Sequence, residues 1–333
     1  MAVVTGTQIL VIGHDDVERL LPMDRCIEVM ANTLASLSRG QAVNPLRAVV
    51  RLPNPPNMLG LMPAALSEPK IFGAKVISVF PGNRAAGLES HQGFVALFES
   101  DEGRPVALVD ASAITGIRTA AVSAVATRAL ANPDAGDLTL LGSGTQARTH
   151  FEAMLAVRPI RRVRVWSPNP ERLARFAVDE AERHGIEVVA MGSARLAVDG
   201  AEIVCTVTAA REPILEGSWL SAGSHLNAVG SSTPTTRELD AEAIGRARFF
   251  VDRRESTLAE SGDFLAAVRE GVVDESHIAG EIGEVLNGTV DGRRSADEVT
   301  LFKSLGLAVE DLAAAHEVLL RARKVGAGTS VGL

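Results

Sequence analysis

Short apolar runs separated by turn residues dominate the first hundred positions. Residues 8–13 (QILVIG) read as a strand. Asp24 reads as the N-cap of a helix running to about Ser38, with Gly40 just past its end. Residues 44–56, rich in Pro and Asn, predict edge strands and turns. Residues 59–64, 74–80 and 93–99 are strand-like, and Asp101-Glu102-Gly103 turns the chain into another strand at 105–110. No helical pattern separates these strands, which predicts antiparallel pairing.

The pattern changes at Thr119. Residues 119–131 are Ala-rich with helical spacing, which predicts a buried helix ending in a turn at 132–136. Strand and helix then alternate: strands at 138–141, 162–166, 187–190, 203–207, 225–229 and 249–251, and helices at 146–157 and 170–183. That alternation predicts an α/β fold with a doubly wound parallel sheet. Residues 301–323 predict one long amphipathic helix, and the Gly/Ser-rich tail 326–333 a mobile end.

Composition narrows the function. A chain of 333 residues suggests about two domains. With 33 basic and 41 acidic residues the net charge is −8, which argues against nucleic acid or an anionic membrane as partner. Tyr is absent, and few aromatics are available for base stacking. The two cysteines, Cys26 and Cys205, exclude a disulfide framework and a cysteine zinc cage. No signal segment and no apolar run of ~18 residues is visible, so a soluble cytoplasmic protein is expected. No H-E-x-x-H or similar spacing is present, and no metal is expected.

Gly142-Ser143-Gly144-Thr145-Gln146-Ala147 follows an apolar strand and opens a helix. This is the dinucleotide pattern G-x-G-x-x-A: the first Gly makes the turn, the second admits the pyrophosphate, and the Ala permits close packing. The second strand ends in Trp166-Ser167-Pro168-Asn169, without the acid that binds the ribose 2′-OH of NAD. Ser167, Asn169 and Arg172 suit a 2′-phosphate, which favours NADP(H) over NAD(H); the alternative is Ser167 on the 2′-OH of NAD. Lys75 lies inside an apolar strand, either on a solvent face or buried for proton transfer. Arg47 and Arg118 are candidates for gripping a carboxylate, Arg118 the stronger because it adjoins an apolar helix. His91 and His225 are candidate acids or bases, or simply hydrogen-bonded side chains.

Taken together, several stretches resemble the ornithine cyclodeaminase/mu-crystallin family. They are Gly60-Leu61-Met62-Pro63-Ala64, Lys75, Ser90-His91-Gln92, Arg118-Thr119-Ala120-Ala121, the Gly142–Ala147 loop with His150, Asn227-Ala228-Val229-Gly230, Glu238-Leu239-Asp240, Glu260-Ser261-Gly262-Asp263, Gly283-Glu284, and Phe302-Lys303-Ser304-Leu305-Gly306 with Glu310-Asp311. The resemblance spans nearly the whole chain. It implies a dimerisation and substrate domain, α+β, from residues 1–117 plus 310–333, a Rossmann domain at 118–309, and a homodimer. It implies Lys75 in proton transfer, Arg47, Arg118, Ser90 and His91 at the substrate, and Thr206, Val229, Gly230, Lys303, Ser304 and Gly306 beside the loop at the cofactor. Ornithine cyclodeaminases carry acids where this chain has Gly60 and Ser232. In both places, and at Ser90-His91-Gln92, the chain is similar to the mu-crystallin type, which reduces cyclic ketimines. The expected activity is therefore NAD(P)H-dependent reduction of a small, cyclic α-imino acid, or the reverse amino-acid dehydrogenation. Ornithine cyclodeamination and non-catalytic binding of a nucleotide or small ligand are the alternatives.

Overall fold

The computed structural model describes residues 8–53 and 56–332. Asn54 and Pro55 of the predicted edge segment, and Leu333 of the predicted tail, lie outside the described residues. The chain forms two units, one of the described residues up to Arg118 with those from Leu307 onward, the other Thr119–Gly306.

The first unit begins with β1 (Gln8–Ile12), α1 (His14–Leu20), α2 (Met23–Ser38), β2 (Ala42–Val43), β3 (Ala48–Arg51), β4 (Met58–Leu66), β5 (Ile71–Val79), β6 (His91–Glu99) and β7 (Pro105–Asp110). α3 (Ala111–Leu130) follows, and the division between units falls within it. α2 opens on Pro22 rather than Asp24; the proline's φ of −63° needs no adjustment at a helix start. Asp24 instead occupies the first turn, where the positive end of the helix dipole favours an acid. α1 lacks a sequence signature, because only Val17 and Leu20 of its seven residues are buried.

The second unit holds β8 (Asp137–Leu141), α4 (Thr145–Val157), β9 (Arg162–Trp166), α5 (Pro170–His184), β10 (Val188–Ala190), α6 (Ala194–Val198), β11 (Ile203–Thr206), β12 (His225–Ala228), α7 (Ala241–Arg246), β13 (Arg248–Val251), α8 (Arg254–Glu260), α9 (Gly262–Arg269), β14 (Ile278–Glu281), α10 (Ile282–Leu286) and β15 (Thr300–Lys303). Its eight strands are parallel in the order β10-β9-β8-β11-β12-β15-β13-β14. The order reverses at β8, so the crevice at its carboxyl end is the place where an open α/β sheet takes a ligand. The strands are buried on both faces, which is why they read as continuous apolar runs.

The chain then adds α11 (Ala308–Val325) and β16 (Thr329–Gly332) to the first unit. Two expectations fail here. Residues 301–323 are not one helix: Thr300–Lys303 is a strand between β12 and β13, and Gly306, at φ +79°, turns the chain into α11. α11 is also buried nearly all round rather than on one stripe. The tail is a strand, not a mobile end; it pairs antiparallel with β1. The first unit's sheet runs β16-β1-β7-β6-β5-β4-β2, with β3 also on β4. Its pairings are antiparallel as expected except β1 with β7, which run parallel.

Candidate active site

In the first unit, β5 alternates inward and outward, and Lys75 falls on the buried side with Ile71 and Ile77. Its side chain is 3% exposed, and its Nζ lies 2.6 Å from Oδ2 of Asp311 on α11. Thr115 Oγ1 accepts a second, longer bond at 3.4 Å. Burial pulls the ammonium down to about 8, although Asp311 opposes the fall; Arg118 and Arg47 push the same way as burial. Asp311 is pushed up by burial, but Arg118 and Lys75 together hold it below the usual carboxylate range. Arg118, on α3, donates from Nε to Asp311 Oδ1 at 2.9 Å and from Nη1 to Glu310 Oε2 at 2.7 Å. Two cations and two carboxylates thus share one buried cluster, with Arg47 near enough for its charge to act on Lys75.

Glu310 and Asp311 were not proposed as site residues from their own chemistry. Their sequence surroundings carry no clear signal, because α11 also holds His316, Glu317, Arg321, Arg323 and Lys324, and only the fold shows that Glu310 and Asp311 face inward. Ser90 and His91 lie elsewhere on the sheet. Lys75 pairs with Val95, and His91 is four residues, ~13 Å, further along β6. Ser90 Oγ lies 3.0 Å from His91 Nδ1, with Ser90 buried and His91 exposed.

In the second unit the dinucleotide loop joins β8 to α4. Gly142 adopts φ +129°, a conformation side chains avoid, and a Cβ there would meet the Val207 carbonyl oxygen at 2.9 Å. Gly144 stands at the N-cap of α4, no side chain caps that helix, and a Cβ on Gly144 would meet nothing within 4 Å. Open space before the N–H groups of Thr145 and Gln146 fits a pyrophosphate. Ser167, Thr206, Val229 and Ser304 follow or close β9, β11, β12 and β15, all at the same carboxyl edge. Several carry structural bonds. Thr206 Oγ1 and Gly230 N donate to Glu238 at 2.8 and 2.7 Å, Lys303 Nζ is paired with Asp263 at 3.0 Å, and Gly306 N donates to Asp252 at 2.8 Å. Lys303 is fully buried, so its ammonium supports the loop ends through Asp263, which also accepts from Glu238 N and Leu239 N. His225 is buried in β12, bonded to Thr300 Oγ1, and lowered by burial to about 3, which makes it a neutral packing residue.

The family model of the ornithine cyclodeaminase/mu-crystallin family matches residues 8–325. The chain belongs to that family. It is 35% identical over 323 residues to a delta(1)-pyrroline-2-carboxylate reductase of Bacillus cereus, covering 97% of this chain and 99% of the relative. It is 39% identical over 288 residues to the ketimine reductase mu-crystallin of Mus musculus, covering 86% and 88%. Among solved structures, the Thermococcus litoralis delta(1)-pyrroline-2-carboxylate reductase in complex with NADH and L-proline superposes with a TM-score of 0.95, at 36% identity over 97% of this chain and 100% of that one. An archaeal alanine dehydrogenase dimer with bound NAD gives 0.92, at 30% identity over 98% and 99%.

These structures overturn the expected preference for NADP(H): the cofactor bound in each is NAD(H). The physical reason lies after β9. Asn169 spends its side chain as the N-cap of α5, accepting from Arg172 N at 2.9 Å, and Ser167 Oγ is bonded to Ser143 Oγ at 2.9 Å. Two of the three groups assigned to a 2′-phosphate, the Ser167 hydroxyl and the Asn169 side-chain oxygen, are thus occupied in holding the turn. Among the described residues no helix is long and apolar enough to cross a membrane, and no group of three or more His, Cys, Asp or Glu is arranged to hold a metal ion.

Proposed function

We propose that this chain is an NAD(H)-dependent reductase of a small cyclic α-imino acid, of the Δ1-pyrroline-2-carboxylate type. The buried Lys75–Asp311 pair beside Arg118 carries the reading. Reduction of a C=N bond adds hydride to carbon and a proton to nitrogen. Bound NADH supplies the hydride; Gly142, Ser143, Gly144, Thr145 and Gln146 are the residues to hold it. Lys75, an acid near 8, gives its proton to the ring nitrogen, and in reverse takes it back. Such general acid catalysis contributes ~10²–10⁴-fold. Lys75 and Arg118 are matched in charge by Glu310 and Asp311, and Arg47 adds a third cation, which suits a monocarboxylate. Proton transfer needs a group that changes charge near neutral pH, and an exposed lysine would not.

The relatives support a pyrroline ring more than the mu-crystallin subtype alone: a pyrroline-2-carboxylate reductase matches over 97% of the chain. A homodimer through the sheet face away from α11 is part of the proposal. Val50, Phe72 and Phe94 are exposed on that face, and Phe98 stacks on Phe72 at 5.2 Å. Two buried free cysteines fit a reducing, cytoplasmic setting.

The test follows NADH absorbance with Δ1-pyrroline-2-carboxylate, the six-membered piperideine-2-carboxylate, and pyruvate plus ammonium. Fastest turnover is expected on the five-membered ring, with NADH ahead of NADPH. Faster turnover on pyruvate plus ammonium would overturn the cyclic substrate and favour an alanine dehydrogenase.

A further inference from the structure

Glu238 is buried in the loop between β12 and α7, and its carboxylate accepts four hydrogen bonds. Oε1 takes the backbone N–H and the hydroxyl of Thr208, both at 2.7 Å. Oε2 takes the Thr206 hydroxyl at 2.8 Å and the Gly230 N–H at 2.7 Å. Thr206 closes β11, Thr208 lies just beyond it, and Gly230 lies just beyond β12. One side chain thus ties together the carboxyl ends of two neighbouring strands. The fit is close: a Cβ on Gly230 would run into the Thr208 carbonyl oxygen and Glu238 Oε1. Between the two threonines is Val207, whose carbonyl oxygen is the atom a Cβ on Gly142 would meet. The Glu238 carboxylate therefore sets where this strand end lies against the turn of the dinucleotide loop.

Its own position is fixed from behind. Asp263 Oδ1 accepts from the N–H groups of Glu238 and Leu239 at 2.8 and 3.0 Å, and the Glu238 carbonyl accepts from those of Ile214 and Leu215 at 2.8 and 3.1 Å. Burial pushes the Glu238 carboxyl above the usual range and Asp263 adds to the rise; Lys303 and the Thr208 bonds oppose it. An apolar side chain would fill this place without that cost, but it could not accept from four donors on two strand ends. In a doubly wound sheet each half takes one mononucleotide of a dinucleotide. The turn after β9 meets the adenosine ribose in that scheme. The side of β9 and β10 thus takes the adenosine half, and the side of β11, β12 and β15 takes the nicotinamide half.

We propose that Glu238 is a positioning residue for the nicotinamide half of bound NADH, acting through Thr206, Thr208 and Gly230. The role rests on the dinucleotide reading of the second unit. Titration calorimetry would measure the dissociation constants of NADH and of ADP-ribose, which lacks the nicotinamide, for wild type, Glu238→Gln, Glu238→Asp and Glu202→Gln. A glutamine keeps the volume but replaces one oxygen by a donor. Threonine hydroxyls can turn to accept from it; a backbone N–H cannot, so either orientation breaks the short bond of Thr208 N or of Gly230 N. Glu202 is the control: its carboxylate accepts from Gly136 N and Asp137 N at 2.7 and 2.9 Å, at the amino end of β8. NADH should bind at least roughly fivefold more weakly to Glu238→Gln, and ADP-ribose within about twofold of wild type. Both constants should be unchanged in Glu202→Gln even where its melting point falls. Glu238→Asp keeps the charge but draws the oxygens back by one methylene. It should show the same selective loss, and it decides the matter where Glu238→Gln does not fold. A smaller loss of NADH affinity, or an equal loss for ADP-ribose, would overturn the role. An equal loss in Glu202→Gln would make Glu238 a merely structural residue and overturn it too. A wild type that binds neither ligand would overturn the dinucleotide reading itself, and this role with it.

Discussion

Asp311→Asn removes one charge from the buried cluster and almost no volume. Its carboxylate sits 2.6 Å from Lys75 Nζ and 2.9 Å from Arg118 Nε, with no exposed surface. An opposite charge this close typically shifts a titrating neighbour by about 1–3 pH units. Lys75 is already lowered to about 8 by burial, and Asp311 is what opposes a deeper fall. Without it, the alkaline limb of imine reduction, where Lys75 loses the proton it donates, expected near pH 8 in wild type, should move down by about 1–3 units. At pH 8 the rate then falls roughly tenfold per unit. Stability changes too: breaking a buried pair from one side costs about 3–5 kcal/mol while the partner stays charged. Lys75 escapes this cost by losing its proton. A lysine whose folded value lies below its unfolded one binds fewer protons when folded, so stability rises with pH between the two values. That window runs from about 8 to 10.5 in wild type and opens further downward in the variant. The variant's loss of Tm should therefore be largest at acid pH, shrink as pH rises towards 8 and stay level above it. The assays are pH profiles of kcat for NADH oxidation and of thermal unfolding, with Asp311→Glu as the variant expected to restore the limb. A limb that stays in place in Asp311→Asn, in a folded protein, would refute the assignment of that limb to Lys75 under the control of Asp311.

Lys75→Ala should lower kcat by ~10²–10⁴-fold with NADH affinity unchanged in a fluorescence titration, because the role lies in the transition state; a change of only a few-fold would remove Lys75 from the mechanism. Gly144→Val should abolish NADH binding while leaving the melting curve in place, since the space before this residue is open to ligand and lined by no core atoms; retained affinity would give the loop another purpose. Ring reduction should exceed ornithine cyclisation by at least roughly a hundredfold in kcat/KM, about 2.7 kcal/mol. Gly60, where a Cβ would already come within 3.3 Å of Ile77 Cγ2, and uncharged Ser232 offer no carboxylate to the δ-ammonium. Proline formation from ornithine at a matching rate contradicts this.

Local chemistry announced much of the molecule. Strands of the second unit show as apolar runs because both their faces are covered, and Gly142 and Gly144 mark the loop because a turn at φ +129° and an open N-cap need residues without side chains. Lys75 was legible as an anomaly, a charge in an apolar strand, but its sequence neighbours could not say which face of the sheet it took. That was decided by α11, which arrives more than two hundred residues later and brings Asp311 to its ammonium. The same long-range pairing hid the character of α11: Glu310, Asp311 and Glu317 look like a solvent face until Arg118, Lys75 and Arg25 are seen opposite them. Residues 301–303 read as helix because three residues carry too little periodicity to separate helix from strand; the slot between β12 and β13 made them, with Thr300, a strand. Ser167 and Asn169 looked available to a phosphate because a sequence lists donors without showing which are already bonded. Residue order determined the elements that depend on near neighbours and on backbone freedom. Tertiary structure alone decided how each buried charge was satisfied, since its partner lies far along the chain and only packing brings the two together.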